Sequence, residues 1–243
     1  MKEAFDKYVS NYDLDDENIK LKYNHSCRVM ELSKKYATKL GFDKHDIELA
    51  TAIGLLHDIG RFDQLKIYNT YNDAISFDHA TYGNKILFED NMIEKFYSNK
   101  DDYEIIRFAI ENHNKLKIED TDNEKALMHA KLIRDTDKLD ILYLEGYLHE
   151  LNIKATDDEI SEKVIKKFMN HESILKEYRK NKNDSIVLTF SFAFDINYDV
   201  CLEEFKTNYK YYYEQIERNN KFKDIYKETI KYIDERIGNN VRC

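Results

Sequence analysis

Apolar residues recur along this chain at helical spacing, and the helices they predict cover most of its length. From about Glu17 to Leu40, the positions Leu21, His25, Val29, Leu32 and Tyr36 fall at i, i+4, i+8, i+11 and i+15. That is one face of a single helix, with Gly41 placed just past its end. Asp43 is positioned as the N-cap of a second helix through DKHDIELATAIGLLHDIG, where Ile47, Ala50, Ile53 or Gly54, and His57 line up the same way. The stretch after Arg61, QLKIYNTYNDAISFD, is polar and turn-prone and is read as a loop long enough to carry function. Ser76 or Asp78 can cap a helix through HATYGNKILFED, which puts His79 in its first turn. Further stripes carry Ile106, Ile110 (or Ala109) and His113 over about 101–114, then Ala126, Ala130, Ile133, Asp137, Ile141 and Leu144 over 123–147.

The C-terminal part has weaker patterning. Residues 157–179 read as one amphipathic helix, and 199–237 as one or two long helices rich in tyrosine and charge. The segment 185–196, SIVLTFSFAFDI, alternates like a strand but also fits a helix face through Ile186, Phe190 and Phe194. Helix is the expectation, because a lone strand has no sheet to join. The fold class predicted is all-α.

Composition sharpens this. Among 243 residues there is no proline, no tryptophan and only six glycines, so long helices go uninterrupted; an AT-rich coding bias would deplete proline as well. A net charge of −9 argues against a dedicated nucleic-acid or anionic-membrane binder. A small phosphorylated substrate remains compatible if cations receive its phosphate. The three cysteines, Cys27, Cys201 and Cys243, lack metal-site spacing and read as free thiols of a reducing cytoplasm. The charged N-terminus does not resemble a signal peptide, and no apolar run approaches the ~20 residues that span a bilayer. The expectation is a cytoplasmic protein without a membrane segment. The run YKYYY at 209–213 is read as packing or a subunit contact, which leaves room for a homo-oligomer.

His25, His57, His113 and Asp137 sit in stripes that otherwise face a core. A single histidine there is ordinarily a hydrogen-bonded core residue. A buried carboxylate is costly unless paired, protonated or metal-bound; Arg134 or Lys138 could pair Asp137. A metal centre accounts for the whole set at once. Imidazole and carboxylate ligands suit Fe, Mn, Zn, Co or Ni, and the absence of thiolates argues against a structural zinc site. Counting ligands suggests two divalent cations, one held by His25, His57, Asp58 and Asp137, the other by His79 and His113, with Asp58 bridging. A mononuclear site would keep the first set. His45, His129, His149 and His171 lack partners at ligand spacing and read as surface or helix-flank residues.

The order His25, His57-Asp58, Asp137, within HSCRVMEL, GLLHDIGRF and RDTDKLD, resembles the HD superfamily of metal-dependent phosphohydrolases. FDHATYG and IENHNK resemble the extra histidine segments of its binuclear members. The resemblance covers roughly residues 20–145. It implies an HD-domain-like helical bundle, read as residues 1–150; with no internal repeat, Gly/Ser linker or low-complexity tail in the rest, 151–243 is expected to be a helical extension packed on the same core. It also implies hydrolysis of a phosphoester or phosphoanhydride in a small molecule such as a nucleotide, by water activated at the cations. The Gly-Tyr-Pro signature of the cyclic-di-GMP branch is absent, which disfavours that substrate. In this reading Asp58 orients the water, and Arg61, where the family commonly has Lys or Arg, meets phosphate, unless it pairs with Asp63. Lys115 is a further phosphate-binding candidate. Some members of the superfamily use the same ligands for di-iron oxygenation, and a non-catalytic regulatory module is the remaining alternative.

Overall fold

The computed structural model of the chain describes residues 1–148, 154–216 and 219–240. His149 and Cys243, as well as residues 217 and 218 of the expected C-terminal helices, lie outside the described residues. Those described are helices and connections, with no strand among them. The chain divides into two compact units, Met1–Asp137 and Lys138–Cys243.

The first unit contains α1 (Lys2–Val9), α2 (Glu17–Lys39), α3 (Lys44–Leu56), α4 (Gly60–Tyr68), α5 (His79–Asn84), α6 (Ile93–Phe96), α7 (Tyr103–Asn112) and the larger part of α8 (Glu124–Tyr143). Local chemistry sets the ends of the helices that matter most. Asp16 caps α2 by accepting from the amides of Asn18 and Ile19. Gly41, at φ +75°, occupies the left-handed position that ends it. Asp43 caps α3 as expected, its carboxylate 2.8 Å from the Asp46 amide.

α2 packs along α3, while α5 packs against both α4 and α7. Their apolar stripes meet in one core that includes Phe5, Val29, Ile53, Phe62, Leu87, Ile106, Ile110 and Ala130. At about 25 cal/mol per Å² of apolar surface, such burial is the main force holding these helices together.

Two expectations need correction. Gln64–Tyr68 belong to helix α4 rather than to the loop, because Phe62 and Leu65 are buried and continue a helical face. The connection therefore runs from Asn69, which ends α4 in the left-handed conformation, to Asp78. The helix expected over 157–179 is confined to α9 (Glu162–Met169) and a short 3₁₀ turn, Lys176–Tyr178. Only Val164 and Phe168 of α9 bury a stripe, and residues beyond it leave the helix through His171 at positive φ. α1 and α6, too short to show a period, were not expected.

The second unit adds α10 (Lys182–Ser191), α11 (Asp199–Gln215) and α12 (Lys223–Asn240). The ambiguous segment 185–196 is helical, continuing from α10 into a 3₁₀ turn at Phe192–Asp195. Tyr209 and Tyr212 of the tyrosine run are buried. Tyr209 donates to the carbonyls of Thr189 and Phe190.

Candidate metal centre

Six of the sequence-predicted residues converge in the first unit. His25 projects from the middle of α2, and Asp137 from α8. His57 is the C-cap of α3 and His113 the C-cap of α7, while His79 opens α5 behind its N-cap Asp78. Asp58 lies in the short link between α3 and α4. That link needs Gly60: a β-carbon there would stand 2.3 Å from the His79 carbonyl and 2.9 Å from the Gly83 amide. The close approach brings the start of α5 onto the His57-Asp58 turn.

Asp58 is the centre of this arrangement. Its Oδ2 is 3.5 Å from His25 Nε2 and 3.6 Å from His57 Nε2. Its Oδ1 is 3.3 Å from His79 Nε2 and 3.7 Å from His113 Nε2. Asp137 Oδ1 completes the first side, 3.2 Å from His25 Nε2 and 3.6 Å from His57 Nε2. His25, His57 and Asp58 each offer one ligand atom within 4.8 Å of the others, as do Asp58, His79 and His113, and also His57, His113 and Asp137.

Hydrogen bonds on the far side of the rings aim them. His57 Nδ1 donates to the Gly54 carbonyl at 2.9 Å, and His113 Nδ1 to the Ile110 carbonyl at 2.6 Å. His79 Nδ1 donates to Asp73 Oδ2 at 2.8 Å. Carbonyls and carboxylates only accept, so each of these rings holds its proton on Nδ1 and turns a lone pair inward from Nε2. The Nε2 atoms of His79 and His113 are 3.0 Å apart. Two lone pairs at that distance require a positive charge between them, so the donor set fits a cation.

The electrostatics agree. Burial lowers the affinity of His57 for a proton, with Asp58 opposing that in part. Burial lowers it at His79 too, against the pull of Asp73. Burial by itself would raise the Asp58 carboxyl, but Lys22 and His57 hold it well below the usual carboxylate range. His25 and His57 do the same for Asp137. His57 and His79 are thus biased toward the neutral imidazole and Asp58 and Asp137 toward the carboxylate, the protonation states that bind divalent metals.

Arg61 is buried rather than splayed on the surface. Its NH1 donates to Gln64, to the Tyr71 carbonyl and to Asp73, at 2.6, 2.8 and 2.8 Å. Asp73, rather than Asp63, is its carboxylate partner; Asp63 accepts from Tyr12 instead. Arg61 Nε is buried without a hydrogen-bond partner, 3.6 Å from Asp58 Oδ1. Lys115 directs its ammonium to Glu119 at 2.9 Å and Glu111 at 3.5 Å. Arg134 clamps the carbonyls of Asn112, Lys115 and Leu116, bracing the turn that presents His113. Lys138 pairs with Asp195 at 2.8 Å.

Two participants were not anticipated. Lys22 Nζ is 2.8 Å from Asp58 Oδ2; its place one turn before His25 on the same helical face was the available signal. Asp73, in the loop, had none. His129 corrects an expectation of a different kind. It is buried, 3.2 Å from Asp46, and not a surface residue, because α8 turns it toward the start of α3. His45 and His171 are paired with Asp102 and Glu228.

Comparison with protein-family models matches residues 23–142 to the HD domain. The chain carries an HD domain over that span. The matched span takes in His25, His57, Asp58, His79, His113 and Asp137, and the HD domain is an all-α fold, as observed here. An HD domain points to divalent-metal binding and to a function of the metal-dependent phosphohydrolase type. No curated protein and no solved structure matches the chain. No helix among the described residues is long and apolar enough to cross a membrane.

Proposed function

We propose that this HD-domain protein hydrolyses a phosphoester or phosphoanhydride bond of a small molecule, a nucleotide being the favoured class, at a binuclear divalent-metal centre. The observation that carries this reading is the division of labour at Asp58, whose two oxygens face two separate histidine pairs. His25, His57, Asp58 and Asp137 would hold one cation; His79 and His113, with the other oxygen of Asp58, would hold the second. Such a pair supplies Lewis acidity toward phosphoryl oxygen and lowers the pKa of water.

The chain's own groups complete the chemistry. Asp58, between two histidine pairs, would orient the attacking water. Lys22, 2.8 Å from Asp58 Oδ2, offsets the charge of that carboxylate. With cations bound to Asp58, its ammonium would be free to meet a phosphoryl oxygen at the same edge. Arg61 turns its unpartnered Nε toward Asp58 while NH1 is tied back, so the guanidinium is pre-set for an anionic oxygen. The ring of Tyr71 lies 5.2 Å from Lys22 Nζ and 5.9 Å from the Arg61 guanidinium carbon, which keeps the two cations side by side. Lys115, engaged by two glutamates, is less available.

The test is phosphate release from a panel of nucleoside mono-, di- and triphosphates, dinucleoside polyphosphates and phosphodiesters, with each of Mn, Fe, Co, Ni and Zn. Turnover of at least one that is lost on chelation supports the reading. No turnover with any metal, in protein shown to bind it, contradicts it.

A further inference from the structure

We infer that Asp73 is the positioning residue of this centre, one carboxylate that fixes both the ring of His79 and the guanidinium of Arg61. The inference rests on the reading of His79 as a ligand of the second cation. Asp73 opens the 3₁₀ turn Asp73–Ile75 in the connection between α4 and α5. Its Oδ2 accepts from His79 Nδ1 at 2.8 Å, and its Oδ1 accepts from Arg61 NH1 and from Gln64 Nε2, each at 2.8 Å. The turn is stitched down from both sides. Asn72 caps the Ala74 amide at 3.1 Å, and Gln64 Nε2 also donates to Ser76 Oγ at 2.8 Å and to the Phe77 carbonyl at 3.0 Å.

The consequence is chemical as well as steric. A carboxylate offers no hydrogen, so His79 must protonate on Nδ1 and keep Nε2 as the lone-pair atom facing Asp58 and His113. The other oxygen holds Arg61 by NH1, which leaves Nε as the edge turned toward Asp58. Outer partners of this kind are typically worth about 10–100-fold in metal affinity.

Asp73→Asn separates this role from mere packing. Arg61 and Gln64 both donate at the Oδ1 position, so the amide oxygen stays with them and the amide NH₂ faces His79. The imidazole must then accept at Nδ1 and carry its proton on Nε2, the wrong tautomer for a ligand. Two-bond ¹H–¹⁵N spectra of the metal-free protein should show His79 as the Nδ1–H form in the wild type and the Nε2–H form in Asp73→Asn. Titration with Mn or Zn should show about 10–100-fold weaker binding of the second cation and an unchanged first. Asp73→Ala removes the acceptor without adding a donor, so it should impair the second cation less than the near-isosteric Asp73→Asn. A packing role predicts the reverse order. An unchanged His79 tautomer in Asp73→Asn, or a more severe defect in Asp73→Ala, overturns the inference. If the wild type binds only one cation, the binuclear reading fails, and the tautomer measurement alone decides the role of Asp73.

Discussion

Lys22 Nζ lies 2.8 Å from Asp58 Oδ2, the oxygen that also faces His25 and His57. The side chain of Lys22 is only 15% exposed, so the pair sits at the edge of the buried centre and not in bulk solvent. This ammonium is the nearest side-chain cation to a carboxylate that burial would otherwise disfavour.

Lys22→Met should therefore destabilise the metal-free protein by about 2–3 kcal/mol, the scale of a lost charge-assisted hydrogen bond. Cations should largely erase the difference, because they replace the missing charge. Melting curves with and without metal check this. Turnover with saturating metal should fall roughly 10²-fold if Lys22 also meets the phosphoryl group. Equal destabilisation in both forms would mean that Lys22 contributes packing alone.

Gly60→Ala tests the close approach of the His57-Asp58 turn to α5. The new methyl would stand 2.3 Å from the His79 carbonyl, a backbone atom that cannot rotate away. The expected result is a loss of about 1–3 kcal/mol, the usual scale of overpacking, together with weakened binding of the second cation. Thermal unfolding and metal titration of the same sample measure both. A fully stable variant with intact metal binding would contradict this packing account.

Glu145, in the second unit, makes stability depend on pH. Its Oε2 is buried without a hydrogen-bond partner, and burial pushes the carboxyl up to about 7 despite the nearby hydroxyls of Thr189 and Tyr212. A carboxyl raised above its ordinary 4.5 favours folding fully below that value, and the benefit is lost as pH rises through 7. Glu145→Gln should thus be close to neutral at pH ~4.5 and more stable than wild type at pH ~8, by up to about 3 kcal/mol. Denaturation curves at the two pH values check it; a difference independent of pH would show that the Glu145 carboxyl titrates alike in the folded and unfolded protein.

The centre was legible in the sequence wherever its residues sit on long helices. His25 and Asp137 occupy positions that a 3.6-residue period assigns to a buried face, and a polar residue there asks for an explanation. His57 and His113 fall at helix ends whose last-turn carbonyls aim their rings, also a local property. Asp73 was not legible, because a loop carboxylate gains its meaning from His79, Arg61 and Gln64, which only the tertiary structure brings to it. His129 was misjudged for a related reason. The helix face was readable, but its partner Asp46 lies 83 residues earlier in the chain. In the C-terminal part, α9 is short and its flanking residues are irregular, so a period averaged over 157–179 overran the helix.

The decisive measurement for a binuclear centre is metal content per chain, by elemental analysis of untagged protein prepared anaerobically without chelators. Close to two equivalents are expected in the wild type and close to one in His79→Ala or His113→Ala. Essentially none is expected in His57→Ala or Asp58→Ala, each still helical by circular dichroism. A wild type that holds a single equivalent, or a His79→Ala protein that keeps two, would contradict a binuclear centre bridged by Asp58.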